Sequence, residues 1–409
     1  VNITLRLAWR NLWRHPRRTW LTTGAMVFSN IILVFMVSLQ FGMYEMMINN
    51  TLAVFTGHLQ VQAPGYKDER RMRQSIPNAA ALGISLRERL GLDSVAVRAT
   101  AFTLASSEAR SFGIQVIGVQ PDSEARVSTL PGLLTEGYYL SDANSEEVVV
   151  GSVLARNLRV SIGDEVTLLG SGRDGSFAAA VVNVVGIVDS GMPELDRNIA
   201  QIPLGTFQDA FSMGDDAHEI VIKTADLSLV AGVKQQVEEV LPARADLVVH
   251  DWDALEPGLK QAIQADLASA WFMYAVLIIL VAFSVLNTVL MSVLERTREF
   301  GIVMALGLTP GRLGRLVVLE TALMGGMGLV LGVLLGGGLV VWLGIDGFSY
   351  PGMDEMAERF NMPSRIYPHL QLTPLLLGPL IVFISTLIAA IWPAMRLNWL
   401  QPVQAMRAA

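Results

Sequence analysis

The chain has 409 residues, 52% hydrophobic and only 16% charged, with a formal net charge of −7 and no cysteine. Soluble domains carry about a quarter charged residues, so this composition points to a membrane protein. The lack of cysteine excludes disulfides, thiolate catalysis, Cys-type zinc sites and iron–sulfur clusters, and the acidic balance argues against a nucleic-acid binder.

At the N-terminus, Leu5, Ala8, Trp9, Leu12 and Trp13 recur at helical spacing on one face, and Arg6, Arg10, Arg14 and Arg17 on another. This double stripe predicts an amphipathic helix over 1–18 lying in the headgroup layer. Trp9 and Trp13 would sit in the membrane interface, with Arg10 and Arg14 on anionic lipid. A plain basic tail is the simpler alternative, but it would need no apolar stripe. The run LTTGAMVFSNIILVFMVSLQFGM follows. A helix needs about 20 apolar residues to cross a bilayer, so 19–43 is read as the first span. It is too long for a signal peptide and lacks a small-residue cleavage site, which makes it a retained anchor.

The segment 44–266 alternates between strand-like and helix-like runs. Strands are predicted in HLQVQ, FGIQVIGVQ, EVVVG, DEVTLLG, AAVVNVVGIV, HEIVIKT and ADLVVH, and helices near 81–91, 152–160 and 226–241. This is a large mixed α/β domain, with room for one large or two small units. SGRDGSF reads as a hairpin turn. Tyr44, Met47, Ile48, Thr51, Leu52 and Phe55 at one end, and Leu259, Ala262, Ile263 and Leu267 at the other, suggest stalk helices continuing from the membrane. No catalytic constellation is legible. The five histidines have no ligand spacing, Ile222 stands where an HExxH motif would need its second histidine, and no GxxxxGK[ST] loop is present. Asp164, after Gly163, reads as a turn residue. No cofactor, metal or catalytic residue is therefore expected in this chain.

Three further spans are predicted at 267–292, 316–344 and 372–394, with a loop at 293–315, a short loop at 345–371 and a tail at 395–409. The fold class is thus an α-helical membrane protein with four transmembrane helices and a mixed α/β extracytoplasmic domain between the first two. Arginines cluster before the first span, in the 293–315 loop (Arg296, Arg298, Arg312, Arg315) and after the fourth span (Arg396, Arg407). The positive-inside rule then places both termini and that loop in the cytoplasm. Within the spans the strongly polar residues are few: Asn30, Gln40, Asn287 and Glu320. A path for a polar solute needs more polar lining than this. Glu320, near the cytoplasmic end of the third span, is expected to snorkel or to pair with a nearby arginine. The glycines of GGMGLVLG read as small-residue helix packing.

The loop ERTREFGIVMALGLTPGRLGRL carries more pattern than a connection needs. Glu295 with Arg298, and Arg296 with Glu299, are opposite charges three residues apart. Phe300, Val303 and Met304 form an apolar stripe, Gly307 suits a helix C′ position, and Thr309 and Pro310 suit the start of the next helix. An exposed apolar stripe in such a loop requires a partner.

This loop, continued as VVLETALMGGMGLVLG, resembles the signature of the MacB/FtsX-type (type VII, mechanotransmission) ABC transporter permeases. The resemblance rests on Arg296, Glu299, Ala305, Leu306, Gly307 and Glu320, with Gly325, Gly328, Gly332 and Gly336 behind them. The tail residues Pro393, Ala394, Arg396, Pro402, Val403, Ala405 and Arg407, the N-terminal LAWRNLWRHPRRTWLT, and Leu154, Ala155, Leu158, Gly163 and Asp164 extend it over the whole chain. The architecture is LolC/LolE-like without a fused ATPase. The resemblance implies a permease subunit, not itself an enzyme, in the bacterial inner membrane. Arg296, Arg298, Glu299, Phe300, Val303, Met304 and Gly307 would contact a separate cytoplasmic ABC ATPase, present in two copies and holding ATP and Mg. A second permease, identical or paralogous, a periplasmic partner and membrane lipid complete the expected partners. The substrate would be hydrophobic, a lipoprotein or peptide-like; the alternative is an FtsX-like signalling device acting on a periplasmic partner such as a cell-wall hydrolase. One departure is that only SGRDGS stands where lipoprotein-releasing members extend a carrier-recruiting loop.

Overall fold

The computed structural model describes residues 3–242, 246–349, 351–354, 357, 364–368, 370 and 372–399. Pro402, Val403, Ala405 and Arg407 of the tail motif and His369 lie outside the described residues. The chain divides into a membrane unit (1–44, 262–350 and 365–409) and an inter-span unit (45–261 and 351–364).

In the membrane unit, the four apolar runs form helices Pro16–Thr51, Pro257–Glu295, Pro310–Asp346 and Leu372–Arg396, here called the first to fourth spans. With 36 and 39 residues, the first two exceed the length a bilayer requires. They continue past their apolar stretches, and the first goes on through a π-helical turn at Leu52–Thr56. Of the residues read as stalk stripes, Tyr44, Ile48 and Leu52 are buried, Leu259, Ile263 and Leu267 are half-buried, and Ala262 is exposed.

Small residues set how closely these helices approach. Gly328, Gly332 and Gly336 of the third span face Met26, Asn30 and Val34 of the first, with the same four-residue step on both helices. A Cβ on Gly328 would stand 2.8 Å from Met26 Cβ, and one on Gly336 would stand 3.1 Å from Val34 Cβ. The buried Asn30 donates from Nδ2 to the Gly328 carbonyl at 3.1 Å, an interhelical bond that the absence of side chains on the facing helix permits. On another face, Gly325 lies against Phe383 and Thr386 of the fourth span. The second span contributes Val281, Val285, Val289 and Val293, a β-branched stripe at one residue per turn, to the same core.

The inter-span unit is built on one ten-stranded sheet among the described residues, so the segment is one large domain. The strands are β1 (Leu59–Gln62), β2 (Val95–Ser106), β3 (Ser111–Val119), β4 (Leu134–Gly137), β5 (Glu147–Gly151), β6 (Glu165–Ser171), β7 (Phe177–Val188), β8 (Ile199–Pro203), β9 (Glu219–Ile222) and β10 (Val248–Asp251). Their order is β10-β1-β9-β2-β3-β8-β5-β7-β4, with β6 bridging β2 and β7. Pairs β3–β8 and β5–β7 are parallel and the others antiparallel. The seven strands expected from sequence are present. β2, β4 and β8 were not legible: β2 is rich in alanine, which is depleted in strands, and β4 and β8 have only four and five residues. Helices Ala79–Leu90, Ser152–Leu158 and Val230–Val240 pack on the sheet through Leu86, Leu154 and Val237. Residues 172–176 close the β6–β7 hairpin, where Gly175 takes φ +89°, and Asp164 accepts from the Ser161 N–H at 2.8 Å in its turn.

The glycine stripe makes a direct prediction. Gly332→Leu drives a side chain into Asn30 and is expected to cost about 1–3 kcal/mol by overpacking, read as a lower melting temperature of the purified chain in detergent. Gly338→Ala, whose Cβ meets nothing within 4 Å, should leave it unchanged.

Candidate functional site

The second span ends at Glu295, because Arg296 leaves helical geometry at φ −99°, ψ 9°. A separate short helix, Thr297–Ala305, follows. It closes on Gly307 at φ +98°: the Gly307 N–H donates to the Met304 carbonyl at 3.0 Å and the Leu308 N–H to the Val303 carbonyl at 3.2 Å. This Schellman pair needs a left-handed residue at Gly307, the position the sequence marked. Thr309 takes the N-cap position and Pro310 the first helical position of the third span, although the Thr309 side chain makes no capping bond.

Arg296, at the break, points into the membrane unit. Its Nη1 lies 3.1 Å and 3.2 Å from the two carboxylate oxygens of Glu320, with both side chains nearly buried. Asn11 of the N-terminal helix donates from Nδ2 to Glu320 Oε1 at 2.7 Å. Arg296 Nε reaches Glu299 at 3.4 Å, and its guanidinium lies 5.1 Å from the centre of the Phe300 ring. Arg14 holds the other side of Glu299 at 3.1 Å, and Arg18 pairs with Glu295 at 3.2 Å. One network therefore ties the N-terminal helix, the turn that follows it, the short helix and the third span, and a separate Arg18–Glu295 pair joins the start of the first span to the end of the second. A carboxylate within an apolar helix is costly unless a cation meets it, and Arg296 is delivered there by the helix break.

The short helix turns its apolar stripe the other way from the sequence expectation. Phe300 and Met304 are buried in the core with Val289, Val293, Leu313 and Val317, and Val303 is half-buried. They are packing residues because the break at Arg296 folds the helix back onto the spans. The exposed face instead carries Arg298, Ile302 and Leu306, at four-residue steps, with Leu306 83% exposed. Glu295, expected to pair with Arg298, is taken by Arg18.

The N-terminal helix spans Ile3–Leu12. Its Ala8 and Leu12 are buried, and the helix packs on the third span. Trp9, Trp13 and Trp20 form an exposed edge-to-face ladder with centroids 5.9 and 6.2 Å apart. Arg10 is exposed, whereas Arg14, read as a lipid contact, holds Glu299. Sequence reasoning did not place Asn11 or Arg18 in this cluster; partners 309 and 277 positions away leave no periodic signal.

A second polar cluster joins the first and second spans. Tyr44 Oη donates to Asp266 at 2.6 Å, Gln40 Nε2 lies 2.6 Å from Tyr44 Oη and 3.1 Å from Asp266, and Tyr274 Oη donates to Gln40 Oε1 at 2.7 Å. In the inter-span domain, His218 stacks on Tyr66 at 4.9 Å and its Nδ1 accepts the Thr100 N–H at 2.9 Å. Burial pushes its pKa down to about 4, so it is a neutral packing residue at pH 7.

Removing one partner of the buried pair should be severe. Glu320→Ala leaves the nearly buried Arg296 with only the longer contact to the half-buried Glu299 and is expected to destabilise the membrane unit by about 3 kcal/mol, whereas Arg18→Ala, losing a more exposed pair, should cost under about 1 kcal/mol. Thermal unfolding in detergent distinguishes the two.

The family model of the MacB-like periplasmic core domain matches residues 19–240, and that of the FtsX-like permease C-terminal domain matches residues 271–402. Similar proteins include the lipoprotein-releasing system transmembrane protein LolC of Xylella fastidiosa, 24% identical over 305 residues, covering 71% of this chain and 72% of the relative. LolE of Haemophilus influenzae is 23% identical over 316 residues, covering 72% of each. Among solved structures, the periplasmic region of MacB from Actinobacillus actinomycetemcomitans is 15% identical, with a TM-score of 0.37, covering 51% of this chain and 94% of that one. The first match alone spans more than half of the chain and the second runs from within the second span through the fourth, so the chain belongs to the MacB/FtsX/LolC-type ABC transporter permeases.

Proposed function

We propose that this chain is the mechanical half of an ABC complex in the bacterial inner membrane. Both termini and the Thr297–Ala305 helix lie in the cytoplasm, in keeping with the arginine distribution. A separate ATPase, in two copies and holding ATP and Mg, docks there, and a second permease completes the complex. The observation that carries this reading is the Arg296–Glu320 knot. A force applied to the exposed Arg298, Ile302 and Leu306 face reaches the third span through a buried ion pair and the turn before the first span through Glu299 and Arg14, while Arg18 fastens the first span to Glu295 at the end of the second. Phe300, Val303, Met304 and Gly307 act in this reading by shaping and seating the helix, while Arg298 is the contact residue. Trp9, Trp13 and Arg10 hold the N-terminal helix at the lipid surface.

The first and second helices continue beyond their apolar stretches, which supports a stalk that carries the motion to the inter-span domain on the far side. The named relatives LolC and LolE are lipoprotein-releasing proteins. We therefore read the substrate as hydrophobic, a lipoprotein or peptide-like, extracted from the outer leaflet rather than passed through the spans. The short 172–176 turn favours release without a carrier docked at that turn. The second reading, a signalling device that switches a periplasmic partner, predicts activation of that partner with no cargo moved.

The test is reconstitution in vesicles with the ATPase. Ile302→Asp with Leu306→Asp is expected to abolish ATPase capture and reduce ATP-dependent release of a lipoprotein at least tenfold, with the melting temperature unchanged. Full capture and release in that double variant would exclude the face as the coupling surface.

A further inference from the structure

The inter-span domain contains a polar pocket of about 160 Å3 bordered by β1, β9 and the short helix Tyr66–Glu69. Sheet register builds its floor. Gln62 of β1 lies opposite Glu219 of β9, and Glu219 lies opposite Arg98 of β2, so the three side chains form a row on one face. Arg98 is fully buried, and its guanidinium is occupied elsewhere. Nε and Nη2 donate to Glu124 at 2.9 and 2.6 Å, and Nη1 donates to the Phe55 carbonyl. Glu219, only 8% exposed, accepts no hydrogen bond among the described residues.

Gln62 has a fixed direction. Gln60 Nε2 donates to the Thr56 carbonyl at 2.7 Å, and Gln62 Nε2 donates to Gln60 Oε1 at 2.7 Å. The Thr56 carbonyl can only accept, so the relay runs one way and leaves Gln62 Oε1 as its free end. That oxygen is buried and has no donor. Two buried acceptors in adjacent register positions, one of them a carboxylate, thus line the same pocket without a donor between them. Such groups are costly when left alone. Burial raises the Glu219 pKa, and the charges of Arg98 and Arg70 oppose that shift. The half-buried Lys67 and the exposed Arg70 also line the pocket and mark its rim; the carboxylate paired with Lys67 is Asp68, at 3.9 Å.

We propose that this pocket binds a compact amino-acid-like zwitterion, its ammonium held by Glu219 and Gln62 Oε1 and its carboxylate by Lys67 and Arg70. An ammonium carries only donors, which is what two acceptors with no hydrogen-bond donor require. Glu256, which accepts the Thr56 hydroxyl at 3.0 Å, also lines the pocket, and Lys67 and Arg70 supply the positive charge for a negative group at the other end of the ligand. At about 160 Å3 the pocket suits a compact ligand.

Calorimetric titration of the full-length chain in detergent with L-alanine, alaninamide and N-acetylalanine tests this. L-alanine is expected to bind saturably, alaninamide at least tenfold more weakly, and N-acetylalanine, with no ammonium, not at all. Glu219→Gln should abolish alanine binding. Lys67→Gln with Arg70→Gln, at the rim where the fold is not at stake, should weaken it at least tenfold. The proposal is overturned if glycine, alanine and serine all fail to bind the wild-type chain, if N-acetylalanine binds as well as alanine, or if the rim variant binds alanine normally.

Discussion

A single buried ion pair organises the end of the membrane unit that carries the Thr297–Ala305 helix. Glu320 sits in a helix otherwise made for lipid, where an uncompensated carboxylate would cost several kcal/mol. Arg296 answers it from the point where the second span breaks, and the break frees the guanidinium to turn inward. From that constraint the rest follows. The short helix folds back so that Phe300 and Met304 enter the core, Glu299 is left within reach of Arg14, and Asn11 adds a second donor to Glu320. The polar cluster thus fastens two helices that the sequence separates by about 300 residues.

Away from that knot, the membrane unit relies on shape rather than charge. Lipid offers no hydrophobic reward for helix association, so close approach and dispersion must supply it. Gly328, Gly332 and Gly336 provide the approach, and Asn30 adds one interhelical hydrogen bond in an environment where its alternative is an unsatisfied amide. The Gln40–Tyr44–Asp266–Tyr274 cluster joins the first and second spans through side-chain hydrogen bonds. The picture is of two fastenings, one at the Arg296 end and one at the Tyr44 end, on a frame held by small residues.

Much of this was legible in the residues. Span positions follow from apolar length alone, and the Gly307 cap and the Thr309–Pro310 start follow from local backbone chemistry that leaves few alternatives. Seven strands showed themselves by β-branched content. The failures share a cause. The Phe300, Val303 and Met304 stripe was recognised, but periodicity gives a face and not its direction; whether that face meets a partner or the core depends on the turn at Arg296. Pairings such as Arg18 with Glu295 or Gln62 beside Glu219 arise from tertiary register, which no local pattern encodes. β2 was hidden because its alanines suit a strand covered on both sides as well as they suit a helix.

Held by the Arg296–Glu320 pair, the short helix and the third span are expected to move as one body. The chain has no cysteine, so paired spin labels at Ala305→Cys and Gly338→Cys report on it without background. Electron–electron resonance on the reconstituted complex should give one distance population, unchanged when the ATPase is trapped with nucleotide. A distance that shifts with nucleotide while the Glu320 pair is intact would contradict the claim.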